Sequence, residues 1–338
     1  MGTHAATELV DSFGRVVRDL RISVTDRCNF RCTYCMPEEG VPWLPRTQIL
    51  TFEEITRIAR ICVKRFGFTG IRLTGGEPTV RHDLVTLVGS LAALEGPAGR
   101  VDLAMTTNGS TLDGGRADEL RAAGLNRINI SLDTLDRERF SQMTRRDELD
   151  HVLAGIAAAQ RAGFAPVKIN TVVERGVNDD EIVALARFGR EHDVEVRFIE
   201  FMPLDAGDTW ERRTVVGQDE IVATIGAVWA LEPVPARGAA PADRWRYTDT
   251  GQTVGVIPTV TKPFCGDCDR VRLTADGQFR TCLFATDEFD LRAAVRSGES
   301  DAQIAARIEA AVATKWAGHQ INTVTFRKPN RSMSQIGG

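Results

Sequence analysis

The eight residues Cys28-Asn29-Phe30-Arg31-Cys32-Thr33-Tyr34-Cys35 constrain this chain more than any other stretch, because they gather three thiols at spacings of four and three. Soft thiolates this close together suit zinc or an iron-sulfur cluster. A structural zinc site wants a fourth Cys or His nearby, and none stands close to the triplet in sequence. Three protein ligands on a four-iron cluster leave one iron open, and an open coordination position is how a metal site accepts a substrate or cofactor. The bland alternative is three structural cysteines buried on a helix or turn. Free cysteines packed as small hydrophobes have no reason to cluster in this way.

A second constellation lies near the other end of the chain, where Cys265-Gly266-Asp267-Cys268 is followed after thirteen residues by Cys282. Again there are three ligands, with His319 and Asp269 distant or poorly suited as a fourth. Zinc stays open as an alternative, and a second cluster with an open position is the reading favoured here. Between these cysteines stand Arg270 and Arg272, which a strand's period of two puts on one face. Planar, permanently charged forks suit phosphate; the bland reading is a solvated strand face. No G-x-x-x-x-G-K-[ST] motif occurs, so a phosphorylated substrate would be held by side-chain charge rather than by a P-loop.

From residue 15 to about 193, short β-rich runs alternate with amphipathic helical ones, the signal for βα units and a parallel sheet. Strands are predicted over 20–25, 70–74, 101–107, 127–132, 167–173 and 195–201. Helices are predicted over about 52–66, 83–94, 115–123, 149–162 and 179–192. In the first of these, Thr51 is the N-cap, Gly67 ends the helix, and Cys62 belongs to the core. Six units are two short of an eight-stranded barrel, so the expected fold is α/β, an incomplete TIM-like (β/α)6 barrel over 15–230, after an N-terminal extension 1–14. A C-terminal region over 231–338 would carry the second cluster. Its start, 232–243, is rich in Pro, Ala and Gly and reads as a linker or long loop, with short strands near 251–257 and 271–281 and a helix over 301–313.

Strands of a parallel sheet are usually apolar throughout, yet several here alternate. Arg21, Ser23 and Thr25 share one face, as do Arg72 and Thr74, Asn129 and Ser131, then Lys168 and Asn170. Cations on buried strands need partners, which predicts a polar lumen and places the active site in it. Gly75-Gly76-Glu77-Pro78 follows directly on the second strand, and Thr106-Thr107-Asn108-Gly109 ends the third, both at the end where barrel enzymes keep their sites. Taken singly, each reads as an ordinary turn.

Composition excludes several classes. A formal net charge of -4 argues against a general nucleic-acid binder. Seven cysteines in two triplets and a loner do not make a secreted disulfide framework. The N-terminus has no signal-peptide pattern, and no window reaches the ~18 apolar residues of a membrane span, so a cytoplasmic protein is expected.

The first triplet, with Tyr34 in the aromatic position of C-x-x-x-C-x-aromatic-C, resembles the radical S-adenosylmethionine (SAM) enzymes. The order of that triplet, TGGEP, TTNG, the C-terminal C-x-x-C with its third cysteine and Arg-x-Arg pair, and the terminal Gly337-Gly338 is similar to the GTP 3',8-cyclases of molybdenum cofactor biosynthesis, over nearly the whole chain. That resemblance implies two 4Fe-4S clusters, the first on Cys28, Cys32 and Cys35, the second on Cys265, Cys268 and Cys282. It also implies SAM contacts at Tyr34, Gly76, Ser131 and Met202. GTP contacts follow at Arg21, Arg72, Thr107, Lys168, Arg270, Val271 and Arg272. In such enzymes the first cluster cleaves SAM to a 5'-deoxyadenosyl radical, which takes the ribose 3' hydrogen of a GTP whose guanine sits on the second cluster. A reductase as electron donor and a cyclic pyranopterin monophosphate synthase as recipient of the product are implied as well. Whether the chain is a monomer or homodimer is left open. A peptide maturase with an auxiliary cluster would carry more C-terminal cysteines, and a non-catalytic metal module would not explain the cationic strand face.

Overall fold

The predicted alternation appears as six strands, β1 (Asp19–Ser23), β2 (Gly70–Thr74), β3 (Asp102–Thr107), β4 (Arg127–Ser131), β5 (Lys168–Val173) and β6 (Glu195–Glu200). They belong to a computed structural model that describes residues 7–205, 207–235 and 237–337. Gly338 and the first six residues of the N-terminal extension lie outside the described residues. The helices are α1 (Phe52–Phe66), α2 (Leu84–Ala92), α3 (Gly114–Ala122), α4 (Arg137–Thr144), α5 (Leu149–Arg161), α6 (Ile182–Glu191) and α7 (Gln218–Gly226). Farther along come α8 (Leu291–Arg296), α9 (Asp301–Ala313) and α10 (Met333–Ile336).

Local chemistry explains the boundaries. Thr51 accepts from the Glu54 amide while Glu54 reaches back to the Thr51 amide, a reciprocal cap at the start of α1. Gly67 takes a left-handed φ of 71° at its end. Between them Ile55, Ile58, Cys62 and Phe66 are buried against the sheet, each worth about 1.5–3 kcal/mol for the larger apolar side chains. Cys62 is core, as its spacing predicted.

Six more strands come from the C-terminal region: β7 (Leu231–Val234), β8 (Asp243–Tyr247), β9 (Thr253–Ile257), β10 (Arg270–Leu273), β11 (Gln278–Arg280) and β12 (Phe289–Asp290). All twelve form one sheet in the order β12-β11-β10-β1-β2-β3-β4-β5-β6-β9-β8-β7. The incomplete barrel is thus extended at both edges. There β10 lies parallel to β1 with Arg272 opposite Arg21, and β9 lies parallel to β6 with Val256 opposite Phe198.

Residues 232–243 are not simply a linker. They contribute β7 and the start of β8, paired antiparallel with Pro233 opposite Trp245. Proline is tolerated there because β7 is the sheet's edge strand and its missing N–H faces no neighbour. Also absent from the sequence reading are α4, α7 and α8, whose buried faces are short; α4 buries only Phe140, Met143 and Thr144.

Alternation sorts the strands as their pattern demands. Leu20, Ile22, Leu73, Leu103, Ile130, Ile169 and Phe198 are fully buried in the apolar layer under the helices. The intervening residues turn to the other face, so the polar lumen expected from the sequence exists.

Candidate active site

A cavity of about 300 Å³ opens on that inner face and is lined by all six clustered cysteines. Sheet register brings them together: the first triplet follows β1, the second flanks β10 and β11, and β10 is the strand beside β1.

The first triplet sits on a loop held from two sides. Cys32 O accepts from the amides of Cys35 and Met36 at 2.9 and 3.0 Å, a turn that carries Cys35 back toward Cys32. The amides of Arg31 and Thr33 donate to Thr144 O and Met143 O at the end of α4, and Phe30 meets Phe140 edge to face at 5.9 Å. Helix α4, invisible in the sequence pattern, is therefore the loop's anchor.

On the other side the Gly-Gly-Glu-Pro turn is laid along the loop. The Gly76 amide donates to Thr25 O, and the Glu77 amide to Arg27 O, both at 2.8 Å. A Cβ on Gly76 would stand 2.2 Å from Arg27 O, and one on Gly75, whose φ is 142°, 2.5 Å from Thr25 O. The glycines are required by close approach of backbone to backbone. Glu77, fully buried, accepts from the Thr79 amide and hydroxyl, from Thr107 Oγ1 and from the Asn108 amide, at 2.6 to 3.0 Å. The hydroxyl of Thr107 is thus spent on Glu77, and the two motifs that read as separate turns are one buried hydrogen-bonded unit.

Tyr34, Gly76, Ser131 and Met202 all line the cavity, Met202 packing into the apolar cluster that also holds Cys282. The Tyr34 hydroxyl donates to Asp133 Oδ2 at 2.7 Å, and the Val172 amide donates to Asp133 Oδ1 at 2.8 Å. Burial lifts the Asp133 carboxyl to about 6.

Burial also pushes the free thiols up, Cys28 to about 11 and Cys35 to about 12, with Cys32 well above its ordinary value. Three thiolates here need a cation, which a bound metal group supplies. No three His, Cys, Asp or Glu among the described residues converge as a single-ion site. A donor set of three soft thiols on one cavity wall, with no fourth ligand, fits a polynuclear iron-sulfur group with one open iron.

At the second triplet, Cys265–Asp267 forms a single tight turn and the Cys268 amide donates to Cys265 O at 3.2 Å. Burial alone would raise the Cys268 thiol, but Arg270 and Lys315 outweigh it and hold it at about 7. His319 comes close, yet its Nε2 is bonded to Thr259 O at 2.7 Å and its Nδ1 accepts from the Ile321 amide at 3.4 Å. No ring nitrogen is left for a metal. Asp11 of the N-terminal extension supports this site through Arg15, which pairs with it at 2.6 Å and donates to Cys265 O at 2.7 Å and to Ala317 O at 2.8 Å.

Arg21, Arg72, Arg270 and Arg272 face the cavity. Val271 turns the opposite way into the core. Lys168 lies outside the lining residues, beside Arg197 and Glu195, where burial and then Arg197 lower it to about 8. Arg197 itself lines the cavity and donates to Glu195 Oε1 at 2.6 Å. The sequence reading passed over it, although it shares the strand parity of Ile199 on β6. Burial lowers Arg72 to about 9, with Arg21 adding to it, and Arg272 falls well below its usual value from burial and then Arg21. Arg21 Nε, Arg72 Nε and Arg270 Nη2 have no hydrogen-bond partner among the described residues. Crowded guanidiniums with idle buried donors form a receptor for an anion.

The chain's end enters the same space. Helix α10 leads to Gly337, whose φ is 81° and whose added Cβ would meet Ser23 Oγ at 2.3 Å and Thr74 Oγ1 at 2.6 Å. Gly337 O accepts from Arg272 Nη1.

Comparison with known proteins agrees with this layout. The Radical SAM superfamily model matches residues 22–189, and the Molybdenum Cofactor Synthesis C model matches residues 194–321. A GTP 3',8-cyclase of Streptomyces coelicolor is 50% identical, covering 98% of this chain and 96% of that protein. One of Mycolicibacterium smegmatis is 49% identical, covering 98% and 92%. Among solved structures, Streptococcus suis SuiB aligns with a TM-score of 0.61 at 14% identity, over 96% of this chain and 78% of that one. Its S-adenosylmethionine-bound form aligns at 0.60 and 14%, over 95% and 78%. At that identity the likeness concerns the fold, which it shares.

Proposed function

The chain belongs to the GTP 3',8-cyclase family of radical SAM enzymes, and on that premise we propose that it is a lyase converting GTP to (8S)-3',8-cyclo-7,8-dihydroguanosine 5'-triphosphate, the first step of molybdenum cofactor biosynthesis. One observation carries the reading: two thiol triplets and a set of unpartnered buried arginine donors face a single cavity. When bound, 4Fe-4S clusters would supply an electron for SAM cleavage at the first triplet and an open iron for the guanine at the second.

The chain's own residues do the positioning. Tyr34, Gly76, Ser131 and Met202 hold SAM beside the first triplet. Arg21, Arg72, Arg270 and Arg272, joined by Arg197, hold the triphosphate, with Lys168 adding its charge from just outside the lining. Thr107 secures the strand end through Glu77. A charge of this density must be met by several converging cations, because the chain as a whole is acidic. Holding both molecules in one enclosed lumen sets the ribose against the SAM carbon and keeps water from the radical.

No helix among the described residues is long and apolar enough to cross a membrane. We place the reaction in the cytoplasm, as a monomer or homodimer. A reductase would supply electrons, and the product would pass to a cyclic pyranopterin monophosphate synthase.

Anaerobic reconstitution with iron and sulfide tests the two-cluster part. About eight irons per chain are expected, and about four would contradict it. Gly76→Ala tests the loop geometry. The added methyl has no room against Arg27 O, so the cysteine loop must shift. SAM cleavage per iron should fall on the order of 100-fold; a wild-type rate of 5'-deoxyadenosine formation would show the contact to be dispensable.

A further inference from the structure

Two residues beyond α9, Lys315 is 3% exposed. Its ammonium has three donors, and each is accounted for. One goes to Arg270 O at 2.8 Å, one to Thr281 O, and one to Cys268 Sγ at 3.9 Å. Those two carbonyls lie next to the second triplet in sequence, one beyond Cys268 and the other directly before Cys282. Lys315 does not line the cavity; it stands behind the triplet, where no substrate reaches it.

A buried ammonium is costly without a counter-charge, and carbonyls supply dipoles only. No Asp or Glu among the described residues forms an ion pair with Lys315. Asp269 acts on it through space without touching it, and the one anionic group its ammonium bonds to is the Cys268 sulfur. The surrounding segment is fitted to the same task. A Cβ on Gly318 would stand 3.1 Å from Cys265 Cβ and 3.5 Å from its Sγ. Residues 315–318 thus pack against the triplet, with Lys315 aimed at Cys268, before the chain reaches the cavity lining at His319.

We propose that Lys315 is the positioning and charge-compensating residue of the second triplet: it fixes the Cys268 sulfur from behind and raises the reduction potential of the cluster held there. The proposal rests on the reading that Cys265, Cys268 and Cys282 hold a cluster. Charge and hydrogen bonds at the ligand sulfurs are principal determinants of such potentials. Removing a cation disfavours the more negative, reduced state, so the potential falls. The role differs from that of Arg270, which faces the lumen.

The test is an anaerobic redox titration of reconstituted full-length protein, followed by electron paramagnetic resonance, on wild type, Lys315→Met and Lys315→Arg. The first cluster serves as an internal control. In Lys315→Met, iron content should stay near wild type, the second potential should move negative and the first should not move. Lys315→Arg should return the second potential toward wild type. An unchanged second potential in Lys315→Met with full iron overturns the proposal. If Lys315→Met does not fold, Lys315→Gln is read by the same criteria. Loss of iron from the second triplet in the Met or Gln variant with retention in Arg supports charge compensation, whereas equal loss in every variant means packing alone and overturns it. Wild-type protein with iron for one cluster only would remove the underlying reading itself, and the proposal with it.

Discussion

Replacing Cys265, Cys268 and Cys282 with serine is expected to halve the iron, leave SAM cleavage measurable and abolish the cyclised nucleotide. The two triplets are carried by separate backbone units. Helix α4 and the Gly-Gly-Glu-Pro turn hold the first, while Arg15 and residues 315–318 hold the second. Losing one leaves the other's supports untouched. Cys62 cannot substitute, being buried in α1 on the opposite face of the sheet. Serine is close in size to cysteine, so the fold should persist, and 5'-deoxyadenosine should still form under reductant. Full iron content in the triple variant would refute the assignment of these three residues.

The double substitution Arg270→Ala/Arg272→Ala should weaken GTP binding by ~100-fold or more, since each charge-assisted contact contributes about 1.5–3 kcal/mol and neighbours need not add. Any loss of stability should come from Arg270, which stacks on Phe264 at 4.8 Å and is held charged by Cys268, and not from Arg272. Arg272 is pushed down by burial and by Arg21, so the empty protein holds it against repulsion. Truncation removes that repulsion and enlarges a cavity already present. At Arg272, a residue costly to the empty fold and essential to the liganded one is the pattern expected of a binding site; Arg270, by contrast, is held charged by Cys268, Asp19 and Asp269. The loss has a second arm, because Gly337 O would lose its donor and the tail its anchor. Lysine at both positions should rescue only partly, a point charge being no substitute for a planar fork. Calorimetry with GTP, beside thermal melts and iron counts, measures all three; wild-type affinity in the double variant would show that these arginines only line a strand.

Much of this was legible in the sequence, for identifiable reasons. Cysteine spacing is local, so both triplets could be read directly. Strand parity is local too: the alternation of Arg21 with Ile22 and of Arg72 with Leu73 foretold a polar inner face, and the six barrel strands fall within two residues of expectation. What escaped was long-range. Gly76 invited the thought of a ligand, and the structure adds the backbone of Arg27, a partner that only the fold brings near. Glu77 drew notice only as part of a turn, yet it joins two strand ends. Residues 232–243 read as a loop, and the described ones between Val234 and Asp243 are outside the strands; what escaped was that the stretch begins in an edge strand, where a sheet accepts Pro233. Arg15, Arg197 and Lys315 carried no motif. Each acquires its role from atoms between 2 and 302 positions away in sequence.

The most direct test of the central claim is isotopic. GTP carrying deuterium at the ribose 3' carbon, incubated with reconstituted protein, SAM and dithionite, should yield 5'-deoxyadenosine containing that deuterium together with the cyclised nucleotide. Unlabelled 5'-deoxyadenosine, with GTP recovered unchanged, would mean that the radical never meets the ribose and that this cavity serves another substrate.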